Sequence, residues 1–473
     1  MRHPTALLPL VATATAIVIP DETTAQQLVL EAEQEVQKTV SSWGEHVFHS
    51  FEGLLSSVED TLDTTLESLE RQTNELRDGI LDEINVDDGS DVTDFLSNYL
   101  DKSHHGQASN LTVYQSIKSS NYTSKFAKLV DDFPDLVDQL NSTSANVTVF
   151  VPTNHAFEKI PDHHKDHKPP KEFIEKILKY HIVPGFYPAG RVLAHHTLPT
   201  AYEEEELGDR PQRLRVRVSL FGARVNFYSK VVWANLITKN GAVHGVDSIL
   251  VPPPPAERLI SLFPTKFSTL ELAAEKTGLK HHHHSDDDDD DEKLTGLTVF
   301  APTNTAFKKL GPRANAFLFN TEKGLHYLKA LLAYHVVANE TLYSDAYYGK
   351  KKETSFPDLQ SDGDEETEGV RGPKHYHLDL PTLLGDKHIA VDITRLFGFI
   401  KIKLNGHVDV AIQDGLAKDG VVQVVDSVLI PPHHHRGFWN EEVDGEIPVE
   451  ELIERLKPFV EEEKETEVEF GEL

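Results

Sequence analysis

Cysteine is absent from this chain of 473 residues. Disulfides are therefore unavailable to it, and thiol catalysis and zinc–thiolate sites are excluded. Basic charge is scarce: 46 Lys and Arg stand against 77 Asp and Glu, for a formal charge of -31. A field of that sign repels phosphate backbones and anionic headgroups, so nucleic acid is not an expected partner. Past the N-terminus no apolar run reaches the length of a membrane-spanning helix, so no integral membrane segment is expected. The sequence also holds no GxSxG, HExxH, Walker loop or GxGxxG. It reads as a non-enzyme without a cofactor or a metal site. With 39% hydrophobic residues it has enough apolar mass for real cores, so wholesale disorder is excluded.

The N-terminus points to export. Arg2 and His3 precede ALLPLVATATAIVIP, a short apolar run rich in small residues, and residues 1–26 read as a signal peptide. Five Asn-x-Ser/Thr sequons, at Asn110, Asn121, Asn141, Asn146 and Asn339, fit the same route as glycosylation sites. The 26 histidines add a pH expectation. Protonated together they would reduce the negative charge steeply, favouring self-association near pH 5.5.

Three phrases occur twice in the same order. TVFVPTNHAF at 148–157 returns as TVFAPTNTAF at 298–307, YHIV at 180–183 as YHVV at 334–337, and NGAVHGVDSILVPP at 240–253 as DGVVQVVDSVLIPP at 419–432. Two tandem domains follow, 106–254 and 255–432. The wider spacing of the last phrase gives copy two extra residues after YHVV, assigned to an acidic insertion at 351–374. The first phrase predicts a strand stopped by proline, then a helix capped by Thr153–Asn154 or Thr303–Asn304. Phe157 with Ile160, and Phe307 with Leu310, would face the core from that helix. The third phrase opens on Asn-Gly or Asp-Gly, a hairpin signal. The repeated phrase reads as a structural joint, with no activated nucleophile in it.

Together TVFxPTNxAF, the Tyr-His pair and NGxVHxVDxxLxPP resemble the fasciclin-like domain family, over about residues 111–432, in its tandem two-domain fungal form. The resemblance implies an α+β fold in which each copy is a β-sandwich of about seven strands with packed helices. It implies non-catalytic adhesion or matrix interaction at a cell surface, with other proteins or surface glycans as partners, homophilic contact included. A vacuole-resident protein serving membrane traffic or autophagy is the alternative. The family's Tyr-His motif falls on Tyr180–His181 and Tyr334–His335, which makes these candidate binding residues. The step that animal members use for integrin aligns with Asn235–Leu236 and Asp414–Gly415. Neither pair matches it and Arg-Gly-Asp does not occur, so integrin binding has no support.

Three segments lie outside the repeats or interrupt them. Residues 27–105 carry Val40, Val47, Phe51, Leu54, Val58, Leu62, Leu66, Leu69, Leu76 and Ile80, mostly three or four apart, and predict an amphipathic helix or pair of helices. Intramolecular packing and a coiled coil are both open readings of that stripe. HHHHSDDDDDDE at 281–292 reads as a solvated loop insertion, with weak divalent-metal binding as the alternative. Residues 433–473 read as an acidic tail whose short helix around VEELIERLKPFV is peripheral.

Overall fold

The computed structural model describes residues 109–159, 169–219, 222–279, 295–349, 352–355, 374–385, 387–396, 399–432 and 447–469. The signal peptide, the amphipathic segment, the His/Asp run, most of the acidic insertion and Ile160 lie outside the described residues.

The first domain opens with three short helices, α1 (Val113–Ser119), α2 (Ser124–Asp131) and α3 (Pro134–Asn141). Thr112 and Gln115 form a capping box on α1, and Pro134 sits at the first position of α3, where its missing N–H is no loss. Then come β1 (Val147–Pro152), α4 (Lys171–Tyr180), β2 (Ile182–Pro184), α5 (Ala189–Leu193), β3 (Thr197–Glu204), β4 (Arg210–Ser219), β5 (Gly222–Val225), β6 (Ser229–Thr238) and β7 (Gly241–Val246). The strands form one sheet in the order β2-β1-β7-β6-β5-β4-β3.

The second domain repeats the plan. It runs α6 (Ala256–Ser261), α7 (Pro264–Thr277), β8 (Leu297–Pro302), α8 (Asn304–Lys309), α9 (Pro312–Asn320), α10 (Glu322–Tyr334) and β9 (Val336–Ala338). After β10 (Thr341–Leu342), β11 (Ala346–Gly349) and β12 (Lys352–Ser355) follow β13 (Lys374–Pro381), β14 (His388–Leu396), β15 (Phe399–Leu404), β16 (Val408–Leu416), β17 (Gly420–Val425) and α11 (Val449–Glu469). Its seven-stranded sheet, β9-β8-β17-β16-β15-β14-β13, matches the first strand for strand. Paired bulges in β6 and β16 bend each sheet, which curls to enclose its own core.

The repeated phrases are what make the plan close. β1 and β8 run parallel to β7 and β17, and β1 and β7 are buried along their full length, hence their near-continuous apolar sequences. Gly241 and Gly420 stand opposite Val147 and Leu297 at the start of that pairing. A Cβ there would lie 1.8 Å from the Val147 carbonyl oxygen and 2.0 Å from that of Leu297, so only glycine lets the strands meet. The Asn-Gly and Asp-Gly steps do lie at the hairpins, but their glycines serve close approach. Asn240 and Asp419 meanwhile accept the N–H of Val113 and of Ala256, tying each hairpin to its domain's first helix.

The strand-to-helix joint differs from expectation in one respect. Thr303 caps α8 through the Ala306 N–H, and Phe307 and Leu310 are buried beneath it. Asn154 and Asn304, however, turn away from the following helix. Their side-chain oxygens accept the N–H of Lys125 and of Thr269, and so secure α2 and α7 to the joint. In copy one the joint tightens to a 3₁₀ turn over Ala156–Lys159, with Phe157 half-buried.

The acidic tail needs correction. Residues 449–469 form α11, whose Leu452, Leu456 and Val460 are buried in the second domain's core beside α9 and α10. Their spacing of four makes one apolar stripe, which the acidic residues around it disguise in composition. The insertion is also more than a loop. Its residues 352–355 form β12, which pairs with β11 and completes the three-stranded sheet β10-β11-β12.

Candidate functional site

Both Tyr-His pairs lie at the end of a helix and inside a core. Tyr180 and Tyr334 have no exposed surface, and His181 and His335 are buried with them. The His181 Nδ1–H donates to the Ile177 carbonyl at 2.8 Å, while its Nε2 accepts the Leu250 N–H at 2.9 Å. His335 repeats this with Leu331 and Leu429, at the same distances. One ring thus pins the end of its helix to the segment following the last strand. Burial pushes both imidazoles down to about 4, against the carbonyl hydrogen bonds that work the other way. His181 and His335 therefore do not share in a general protonation near pH 5.5. His244, which bridges Asn235 and Tyr187, is also lowered by burial, against the Tyr187 carbonyl bond.

Each tyrosine reaches the neighbouring sheet. The Tyr180 hydroxyl donates to the Arg213 carbonyl on β4 and accepts from Asn226, which itself receives the Arg215 N–H. Tyr334 does the same with the His388 carbonyl on β14 and Asn405. Direct contact of these four side chains with a ligand is thus not what their burial offers. The motif fixes where β4 and β14 sit.

What β4 carries is a buried polar seam between the two domains. In RLRVRV, Leu214 and Val216 face the first core while Arg213 and Arg215 point outward and are nevertheless buried, because the second domain covers them. Asp345, on the turn before β11, accepts the N–H of His196 at 3.0 Å and of Thr197 at 2.8 Å. The Thr197 hydroxyl also donates to it, and the Arg213 guanidinium stands 4.0 Å away. The Arg213 Nε–H donates to the Thr197 hydroxyl and its Nη1 to Tyr348, with the cation over the faces of Tyr343 and Tyr348. Arg215 donates to the Gln413 carbonyl, Gln212 to that of Ala417 and Arg210 to that of Gly349. Near the rim Lys418 pairs with Glu206 at 2.5 Å.

The two buried carboxylates of the seam fare differently. Burial alone would raise the Asp345 carboxyl, but Arg213 and the Thr197 bonds outweigh it and hold the group below the usual carboxylate range. Asp414 sits across Ser344, which gives it both N–H and hydroxyl bonds at 2.7 and 2.5 Å. Burial and the nearby Asp345 charge push Asp414 upward. Sequence reasoning missed this seam. The available signal was QRLRVRV, three arginines at period two in an acidic chain, with His388, Ala390 and Asp392 in their places in copy two. Those equivalences follow from the matching bonds of Tyr180 and Tyr334 and of Asn226 and Asn405.

The family model described as "Fasciclin domain" matches the chain twice, over residues 121–252 and 265–431. The chain belongs to the fasciclin domain family. That family is generally of a non-catalytic adhesion type, and its domains mediate protein interactions. The chain is 29% identical over 379 residues to aurofusarin biosynthesis cluster protein S of Gibberella zeae, covering 75% of this chain and 87% of that protein. It is 28% identical to the cell surface glycolipoprotein MPB83 of Mycobacterium bovis, over 28% of this chain and 56% of that one. Stabilin-2 of Mus musculus is 26% identical over 40% of this chain, which spans only 7% of that protein's length. Among solved structures, a FAS1 domain pair from the insect cell adhesion molecule fasciclin I is similar at 18% identity and TM-score 0.29, over 65% of this chain and 96% of that one.

The two fasciclin domains also fix the positions aligned with the integrin step. Asn235 and Asp414 occupy the same bulge, both with positive φ. The Asn235 side-chain oxygen accepts the Ala189 N–H, as Asp414 accepts that of Ser344, so both serve the bulge. Of the sequon asparagines, Asn110, Asn121, Asn141 and Asn146 are exposed, whereas Asn339 is half-buried and its side-chain oxygen accepts the Thr295 N–H. No helix among the described residues is long and apolar enough to cross a membrane.

Proposed function

We propose that this fasciclin-domain chain is an exported, glycosylated, non-catalytic protein that acts by protein or glycan contact at the cell surface or in the surrounding matrix. The observation that carries the reading is the two-domain fasciclin body joined by the buried Arg213–Asp345 seam, a construction suited to presenting surfaces in fixed relation. The cell-surface relative MPB83 and the four exposed sequon asparagines of the first domain support it. Within this reading the Tyr-His pairs contribute indirectly, by holding β4 and β14 in place.

A second reading comes from the Gibberella zeae relative, whose name ties it to aurofusarin biosynthesis. On that reading the same body gathers partner enzymes of a biosynthetic route. Localising a tagged full-length chain and identifying what co-purifies with it separates the two. Signal at the cell periphery, without biosynthetic enzymes, supports surface adhesion. Retention in the vacuole, or stoichiometric recovery of such enzymes, overturns it.

A further inference from the structure

The two domains use one equivalent face differently. In the second domain the outer side of β16 is covered: Gln413 and Ala417 receive Arg215 and Gln212 from β4 of the first domain. Superposing the bulges at Asn235 and Asp414 puts Ala234 and Thr238 of β6 in the places of Gln413 and Ala417. On β6 that side is open among the described residues, and its exposed positions alternate as Val232, Ala234 and Leu236. Six large apolar side chains are exposed among the described residues, and four of them gather here: Val232 at 49%, Leu111 at 41%, Leu236 at 39% and Phe186 at 36%. Leu111 is adjacent because its carbonyl accepts the Lys239 N–H. Phe186 is adjacent because Ala189, three residues on, is tied to Asn235. A concentration of that kind marks a contact surface rather than scattered exposure.

Chain connectivity names the occupant. The Ser109 N–H donates to the Ile237 carbonyl at 2.9 Å, so the polypeptide enters the first domain on β6 itself. Four residues of fully extended chain reach no more than roughly 14 Å, so whatever precedes Ser109 is tethered close to this strand. Shortly before Ser109 comes the amphipathic segment 27–105, with Leu62, Leu66 and Leu69 in its apolar stripe. That segment holds nineteen Asp and Glu against four Lys and Arg, and the open face is flanked by the exposed Lys230 and Lys239. A second copy of the chain is a poorer fit. The plug that fills the β16 face is the arginine stripe of β4, and the corresponding positions on β14 are His388, Ala390 and Asp392. We propose that the apolar face of β6 is the seat of the chain's own segment 27–105, which takes on the first domain the place that the first domain takes on the second.

The absence of cysteine allows a direct test in the full chain. Leu236→Cys is labelled with a maleimide beside Leu383→Cys, a control of comparable exposure on the second domain. The expected result is labelling at Leu236→Cys slower by about tenfold, as for a site reached only through local opening. Protection should not change with protein concentration, and should be lost when Leu62, Leu66 and Leu69 are replaced by Asp in the same chain. Equal rates at the two sites overturn the proposal. So does protection that rises with concentration, which would assign the face to a second copy, and so does protection that survives the triple replacement.

Discussion

The carboxylate of Asp345 in the second domain receives both the N–H and the hydroxyl of Thr197 in the first. The contact joins the turn before an inserted hairpin to the start of β3, and it neutralises the partner charge of Arg213 where water is excluded. Removing one member of such a pair leaves the other buried and uncompensated, at a cost of about 3–5 kcal/mol. Asp345→Ala should therefore loosen the domains from each other while each core persists. Calorimetry should resolve two unfolding transitions where the parent chain has one. A single transition at the parent temperature contradicts this role for the seam.

The buried histidines set a pH dependence of definite sign. His181 and His335 stay neutral in the folded chain down to about pH 4, whereas in the unfolded chain they titrate near their ordinary value of about 6.5. The stability they contribute is complete above that ordinary value and declines as pH falls towards 4. At pH 5.5 the loss is about 1.4 kcal/mol per ring. Measured by denaturant unfolding, the stability gap between the parent and the double variant His181→Gln, His335→Gln should shrink by about 3 kcal/mol from pH 7.5 to pH 5.5. A gap that stays constant removes the titration argument.

The repeated glycines give a steric prediction. Gly420→Ala places a methyl group against the Leu297 backbone, and neither strand has room to withdraw. Destabilisation on the order of 3 kcal/mol is expected. Gly278→Ala, with open space around it but φ of +72°, should cost only about 1–2 kcal/mol. Equal effects at the two sites would show that backbone strain, not strand approach, governs both.

Glycan occupancy should follow exposure. Peptide mapping of the exported chain is expected to find glycans at the exposed Asn110, Asn121, Asn141 and Asn146, and none at the half-buried Asn339. Full occupancy at Asn339 would mean that the loop around it opens before the domain closes.

The repeat was legible because its chemistry is local. Val149 and Phe150 announce a strand, Pro152 ends it, and Gly241 marks a place where no side chain fits. Residues 433–473 misled because composition averages over faces: Leu452, Leu456 and Val460 form a stripe inside an acidic sequence. The seam was only half legible, since QRLRVRV marks its arginines but nothing marks their partner. Asp345 is an ordinary residue in sequence, and it gains meaning only through Thr197 and Arg213, well over a hundred positions away. The Tyr-His pairs were found by resemblance, but their burial follows from contacts with Leu250 and Leu429 that no local pattern encodes.

Cell attachment to a surface coated with the purified full-length chain tests the functional reading most directly. The expected result is saturable attachment, competed by the soluble chain and weakened by Asp345→Ala, since the two domains then no longer present their surfaces in fixed relation. Attachment no greater than on an inert coating, at every density tested, would contradict it.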